Sequence, residues 1–190
     1  MRTKDEHFKV TPYDDLEVGA IFVAVIELEE FAARCLKAFW QGDEDTTRMF
    51  AILGPFMPES GNTPTLHKMG TPRREVIDIS SECRIVPDVG PDSLMDRMPE
   101  RSKVPGKMVF YNDRTLLALR DLEAELAPVY IDVKSGLILP SDTLHWDEPL
   151  TLGRWCIESR RDHDWVREFS YPDIGERHTF SGAELLPEHI

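Results

Sequence analysis

The sequence has few cysteines, and they lack the paired spacings that build disulfide frameworks or zinc sites. Cys35, Cys83 and Cys156 are the only thiols in 190 residues. They are odd in number and far apart, which predicts buried, reduced thiols. A catalytic cysteine would need a histidine partner, and the spacing identifies none.

Long apolar runs are also lacking. No stretch approaches the roughly 20 residues of a membrane span. The opening segment MRTKDEHF has no apolar core of the kind found in signal peptides. We therefore expect a cytoplasmic protein that does not contact a membrane. The sequence also has no phosphate loop, dinucleotide fingerprint or G-x-S-x-G elbow, so no cofactor is expected.

Acidic residues are abundant and unevenly placed. The chain carries 35 acids and 22 bases, a net charge of −13. Residues 1–45 hold eleven acids and five bases, and residues 113–190 hold sixteen acids and eight bases. This balance argues against direct contact with nucleic acid, because phosphate contacts require Lys and Arg. It favours a basic protein partner, although acidity can also serve solubility alone.

The densest apolar segment lies in residues 16–58. Ala20–Ile26 is rich in β-branched and aromatic residues, which predicts a buried strand. The apolar spacing that follows predicts a helix over about residues 28–41. The alternative is a hairpin in which Phe31–Trp40 is the return strand, but Glu27–Glu30 contains no Gly, Asn or Pro to support a tight turn.

The clearest predicted helix covers about residues 113–127. Leu116, Leu119, Leu122 and Leu126 recur at helical spacing, Asn112 or Asp113 would cap the start, and Pro128 would end it.

The remaining apolar segments predict short strands that cluster without alternating with helices. The sequence therefore predicts an α+β fold with a curved, mainly antiparallel sheet. Residues 1–190 are expected to form a single domain. A proline-rich, linker-like loop over residues 87–105 would separate its N-terminal and C-terminal halves.

The candidate binding residues are acids and tryptophans in loops or near strand ends. Tryptophan in a strand usually packs, but an exposed tryptophan is a common anchor of protein interfaces. Acidic loops would meet a basic surface. The predicted partner contacts are Trp40, Asp43, Glu44, Asp45, Asp162, Asp164 and Trp165.

Three segments resemble the opening of a family of bacterial immunity proteins, the immunity protein 26 type found beside polymorphic toxins. These segments are Gly19–Val25, Phe31–Leu36 and Phe50–Leu53. The resemblance implies three successive strands and therefore the β interpretation of Phe31–Trp40. It also implies a binding protein that occludes a toxin and has no catalytic activity of its own.

Two further hypotheses remain open. His145, His163 and His178 lie near acids such as Asp162 and Asp164 in the last third of the chain, as a metal site or a small hydrolase or transferase would require. Their spacing matches no standard ligand motif. The chain could also be a phage or structural accessory protein without an active site.

Overall fold

The fold is built almost wholly of β-strands, so the predicted α+β class is wrong. The computed structural model describes residues 9–26, 31–40, 49–54, 63–67, 75–89, 95–96, 104–121, 128–141, 144 and 150–171. Within these ranges a short 3-10 turn, Tyr13–Asp15, follows the first strand.

Fifteen strands run through the described residues. They are β1 (Lys9–Pro12), β2 (Ile21–Ile26), β3 (Phe31–Trp40), β4 (Met49–Gly54), β5 (Thr65–His67), β6 (Glu75–Asp78), β7 (Cys83–Pro87), β8 (Met95–Asp96), β9 (Met108–Tyr111), β10 (Arg114–Asp121), β11 (Val129–Asp132), β12 (Leu137–Pro140), β13 (Leu150–Leu152), β14 (Trp155–Arg161) and β15 (Asp164–Tyr171).

Six of these strands close into a barrel. Going round the ring, β3 pairs with β4, β4 with β5, β5 with β10, β10 with β11, β11 with β12, and β12 with β3 again. The β5–β10 and β12–β3 junctions are parallel, and the other four pairings are antiparallel. Closure leaves these six strands without a free edge inside the ring.

The six barrel strands, together with β2 and β9, form two halves with matching topology. Each half is a four-stranded antiparallel meander, β2–β3–β4–β5 or β9–β10–β11–β12. One edge of β3 pairs with β2 along its first part and with β12 along its last part. The corresponding edge of β10 pairs first with β9 and then with β5. The two parallel junctions are therefore equivalent positions in a twofold arrangement.

Hydrogen bonds match between the halves residue by residue. Gly19, with φ +85°, donates its N–H to the Lys37 carbonyl. Gly106, with φ +87°, donates its N–H to the Ala118 carbonyl. These positive φ angles favour glycine. Two residues beyond Lys37 and Ala118, a backbone N–H donates to the residue before β12 and to the residue before β5, respectively.

The predicted helix over 113–127 is wrong, because Arg114–Asp121 is strand β10. Leu116, Leu117, Ala118 and Leu119 are all fully buried. Leu117 and Leu119 face the barrel interior, whereas Leu116 and Ala118 face an outer cluster. A strand buried on both faces loses the alternation that identifies strands in sequence. Residues 122–127 lie outside the described ranges.

The residues interpreted as a helix cap form the turn of the β9–β10 hairpin. Asn112 and Asp113 have φ of +46° and +60°. Positive φ at both central residues is typical of the tight turns that join antiparallel strands. Asn and Asp tolerate this conformation better than other non-glycine residues.

The predicted helix over 28–41 is also wrong, and the alternative strand Phe31–Trp40 is present as β3. It pairs with β2 in register, for example Phe22 with Cys35. Leu36 and Ala38 face the interior while Ala33 and Cys35 face outward, and all four are buried. The turn at Glu27–Glu30 lies outside the described residues.

Three apolar clusters stabilise the barrel. The central cluster fills the interior with buried side chains from both halves. Each half also has an outer cluster, which in the first half includes Phe22 and Phe50 and is covered by Tyr13 and Leu16. The rings of Tyr13, Phe22 and Phe50 pack edge to face at centroid distances of 5.5 to 6.1 Å. The N-terminal segment is thus packed over the first half as a cover.

Lys37 binds this N-terminal segment to β3. Its ammonium group, on a residue only 6% exposed, donates to the backbone carbonyls of Tyr13, Asp14 and Leu16 at 3.0, 3.3 and 2.6 Å. The Nζ atom also lies 4.8 Å from the centre of the Tyr13 ring. Burial lowers the pKa of Lys37, while Asp14 and Asp15 act in the opposite direction. One side chain therefore binds two carbonyls of the 3-10 turn and the carbonyl of Leu16, the residue after it.

The segment 87–105, predicted to be a linker-like loop, is described only in part. Strands before and after residues 87–105 share the barrel, and of that segment the structure describes Pro87–Val89, β8 and Val104–Pro105. No helix in the described ranges has the length and hydrophobicity needed to cross a membrane.

We expect Lys37→Met to destabilise the protein by about 2 kcal/mol, because it leaves buried carbonyls without their donor. Urea unfolding at pH 7 measures the difference. The matched control is Lys134→Met in the exposed β11–β12 turn, where a change within about 0.5 kcal/mol is expected. Equal effects of the two substitutions would contradict the role given to Lys37.

Candidate functional site: the β14–β15 hairpin

A second sheet, ordered β15–β14–β7, stands beside the barrel and carries the candidate site. Its base is fixed to the barrel by aromatic side chains. Trp155 is fully buried and donates its indole N–H to the Gly106 carbonyl at 3.0 Å. The Trp155 ring stacks on Tyr171 at 5.4 Å and contacts Phe169 at 5.8 Å.

Two barrel glycines make room for these rings. A Cβ atom on Gly54 would lie 2.8 Å from the Phe169 ring, and a Cβ on Gly106 would overlap the Tyr171 ring. The base of the hairpin is therefore packed closely against the barrel, and this part of the sheet has a fixed position.

The far end of the same hairpin is exposed. The residues of β14 and β15 change from buried at Trp155–Ile157 to exposed at Arg160–Arg167. Trp165 and Val166 are among the few exposed large apolar residues in the described ranges, 39% and 37% exposed. The hairpin thus presents an aromatic and an aliphatic side chain to solvent at the end opposite its packed base.

Arg84 holds the Trp165 ring in place. Its guanidinium carbon lies 4.1 Å from the ring centre, a cation–π contact. The same guanidinium donates from Nε and Nη2 to the Glu158 carboxylate at 2.9 and 2.7 Å. Glu158 thus neutralises the cation that supports the ring, and these contacts hold Trp165 in a defined position.

Arg167 makes a second exposed ion pair on this sheet. Its Nη1 and Nη2 donate to the two carboxylate oxygens of Asp88 at 3.2 and 3.0 Å. This pair ties β15 to the residue that follows β7.

The opposite face carries a more buried network around Glu168. This residue lies at a register irregularity in the β14–β15 pairing. Its carboxylate accepts from the Ser159 hydroxyl and from Nε and Nη2 of Arg161, at 3.0 and 2.7 Å for the two guanidinium contacts. Arg34 of β3, only 5% exposed, places Nη2 3.9 Å from the same carboxylate. The network links the hairpin to the barrel.

The charged neighbours determine the ionisation of Glu168. Burial acts to raise the pKa of Glu168, but the bonds from Ser159 and Arg161 and the charges of Arg161 and Arg34 outweigh it. The pKa consequently lies below its usual value of 4.5. Because the folded state lowers this pKa, the ionised carboxylate stabilises the folded state above about pH 4.5. That contribution is lost as the pH falls through the folded pKa.

We expect Glu168→Gln to lower the free energy of unfolding at pH 7, because it removes the charge that faces Arg34 and Arg161. The difference from wild type should shrink as the pH falls from 4.5 through the lowered pKa of Glu168, because the wild-type carboxylate then becomes protonated too. Urea unfolding between pH 3 and 7 measures this. The control at pH 7 is Glu158→Gln in the more exposed pair with Arg84, expected to cost roughly 0.5 kcal/mol. A pH-independent effect of Glu168→Gln would refute the assignment.

The structure places three of the predicted contact residues together. Asp162 lies in the turn of the β14–β15 hairpin with φ +58°, Asp164 is the first residue of β15, and Trp165 follows it. Trp40 lies at the end of β3 and packs against the central cluster instead. Asp43, Glu44 and Asp45 lie outside the described residues.

The charges at the hairpin tip are mostly compensated. Arg84, Arg161 and Arg167 each pair with a carboxylate. In the part of the chain that the structure describes, Asp162, Asp164 and Arg160 form no ion pair. The uncompensated groups at the tip therefore sum to one negative charge, on a chain whose net charge is −13.

Sequence reasoning missed Arg84 and Glu168. Arg84 belongs to a strand 74 residues before Glu158, so the pairing depends on the sheet order. Glu168 follows Arg161 by seven residues, and its inward position arises from the irregular register. No signal in the sequence predicted the Arg84–Glu158 contact. For the Arg161–Glu168 contact, the only signal was that an arginine and a glutamate could pair across neighbouring strands.

The alternative chemical sites can also be located. His163 is exposed in the hairpin turn, and in the described ranges no hydrogen bond joins it to Asp162 or Asp164. His145 and His178 lie outside those ranges. The described residues contain no group of three or more potential metal ligands.

All three cysteines are buried, as predicted. Burial raises the pKa of Cys83 to about 11 and also raises the pKa of Cys35 and Cys156. At neutral pH each sulfur is therefore a thiol and a poor nucleophile.

No protein-family model, curated protein or solved structure matches this chain.

Proposed function

We propose that this protein is an acidic, cytoplasmic binding protein that neutralises a basic protein partner, as an immunity or antitoxin-type inhibitor does. The observation that carries the proposal is the β14–β15 hairpin. Its base is packed into the barrel while its tip exposes Trp165 and Val166 next to uncompensated acids. Inhibition would be steric and electrostatic and would require no catalysis by this chain.

The ordered state of Trp165 supports this role. A partner that binds a side chain already held by Arg84 loses less conformational entropy than one that must order it. Tryptophan and arginine are the residue types that dominate binding energy at interfaces. The net charge of −13 would accelerate encounter with a basic surface.

The strand order of the first half agrees with what the immunity-family resemblance implies. Residues 19–53 contain three successive antiparallel strands, β2, β3 and β4. Trp40 and the acidic segment Asp43–Asp45 remain predicted contacts under this proposal, in addition to the hairpin.

Affinity capture from lysate of the native host, washed at rising salt, tests the proposal. A single stoichiometric basic protein that is released as salt rises is expected. Co-expression should then relieve any toxicity of that protein. Capture of nothing, or of a partner whose affinity ignores salt, would contradict the proposal.

We expect Asp162→Asn with Asp164→Asn to weaken binding of the captured basic protein by roughly three- to tenfold, mainly through a slower association rate. Surface plasmon resonance at low and moderate salt measures both rates. The control is Asp113→Asn, which changes an aspartate of positive φ in the β9–β10 turn and leaves the candidate site intact. If the double variant and the Asp113 variant change the affinity equally, Asp162 and Asp164 do not contact the partner.

We expect Trp165→Ala to weaken the same complex by about tenfold or more, chiefly through faster dissociation, because it removes the aromatic anchor. Val10→Ala, an exposed apolar residue of β1, is the control and should leave the affinity unchanged. An unaltered affinity for the Trp165 variant would show that the partner binds elsewhere.

A further inference from the structure

The outer edge of β15 has no strand beside it in the described part of the chain. The sheet order is β15–β14–β7, so β15 is terminal. An unpaired edge displays backbone N–H and C=O groups that can accept a further strand.

The register shows which backbone groups point outward. The Arg160 N–H donates to the Glu82 carbonyl on the β7 side at 2.7 Å. Backbone groups alternate in direction along a strand, so those of Glu158 also point towards β7. Arg160 is opposite Trp165, and Glu158 is opposite Arg167. The N–H and C=O groups of Trp165 and Arg167 therefore point away from β14, towards the free edge.

These two residues lie in a short regular segment. Pairing with β14 is regular over Asp164–Arg167, and the register shifts after it. All four residues of the segment are exposed. The edge is thus open over a stretch that matches a few residues of an added strand, and the irregularity at Glu168 limits how far such a strand can extend.

Charge indicates what kind of strand fits. Arg84, Arg161 and Arg167 are already paired with acids, whereas Asp162, Asp164 and Arg160 are not, so the unpaired groups near the edge sum to one negative charge. A second copy of this chain would bring another net charge of −13 to the same edge, and repulsion opposes that. A lysine- or arginine-bearing strand meets complementary charge instead.

We infer that β15 binds an extended, basic segment of a partner protein by strand addition over Asp164–Arg167, with backbone hydrogen bonds to Trp165 and Arg167. This inference rests on the proposed function and specifies its mode of recognition. Strand addition obtains affinity from main-chain bonds and specificity from alternate side chains.

A synthetic peptide tests the inference without the natural partner. The probe is a fluorescein-labelled octapeptide of alternating lysine and threonine, followed by fluorescence anisotropy at low salt. Saturable binding is expected. The same peptide with every backbone nitrogen methylated should bind at least tenfold more weakly, because it has no N–H on either edge to donate to β15. A glutamate–threonine peptide should not bind.

Two variants of one residue examine the edge itself. Arg167→Ala and Arg167→Pro both remove the pair with Asp88, but only proline removes the outward N–H and places a ring at the edge. The N–H of Arg167 does not bond to β14, so an edge proline is compatible with the hairpin. The proline variant should bind the lysine peptide at least tenfold more weakly than the alanine variant. Urea unfolding verifies that both are folded.

Several results would overturn the inference. They are the absence of peptide binding to wild type, equal binding of the methylated peptide, or equal affinity of the two Arg167 variants. Self-association of the chain that Arg167→Pro abolishes would also overturn it, because a second copy would then occupy the edge. If peptide binding behaves as expected but no basic protein is captured from lysate, the proposed function fails and strand addition stands.

Discussion

The structure depends on two strands, β3 and β10, that are paired along both edges and buried on both faces. Each binds its own preceding strand and then the last strand of the other half, and these contacts close the barrel. Their outward faces support separate apolar clusters, so neither strand has a side that can accept polar residues freely. The exceptions on β3, Lys37 and Arg34, are bound by the N-terminal cover and by the hairpin network.

This double burial explains what the sequence could and could not predict. The β2 strand and the β11–β12 hairpin were predictable from β-branched residues and the Lys134–Gly136 turn. In β3 and β10, burial on both faces removes the alternation of apolar and polar residues that identifies a strand. The leucines and alanines that remain have a spacing that resembles a helix. The two halves match in strand register and in backbone hydrogen bonds, and different side chains can support the same backbone pattern. The proximity of Asp162, Asp164 and Trp165 was predictable because they are neighbours in sequence, whereas the contact of Arg84 with Trp165 depends on the sheet order.

The same architecture fixes the base of the β14–β15 hairpin and leaves its tip exposed. The barrel and the Trp155 contacts fix the base of the hairpin, and ion pairs on both faces stiffen the sheet towards its tip. Trp165, Val166 and the outward backbone of β15 are therefore exposed on a rigid support, and a partner of the proposed kind would lose little conformational entropy by ordering them. Under our proposal, the chain inhibits its partner by occupying the partner's surface, and its own residues need only hold their positions.

The most direct test of this account is hydrogen–deuterium exchange of the whole chain, free and in complex with the basic partner captured from lysate. We predict that protection increases in residues 162–170 and is unchanged in the strands β9–β12. Protection that appears on the barrel while the β14–β15 hairpin exchanges as in the free protein would contradict the account.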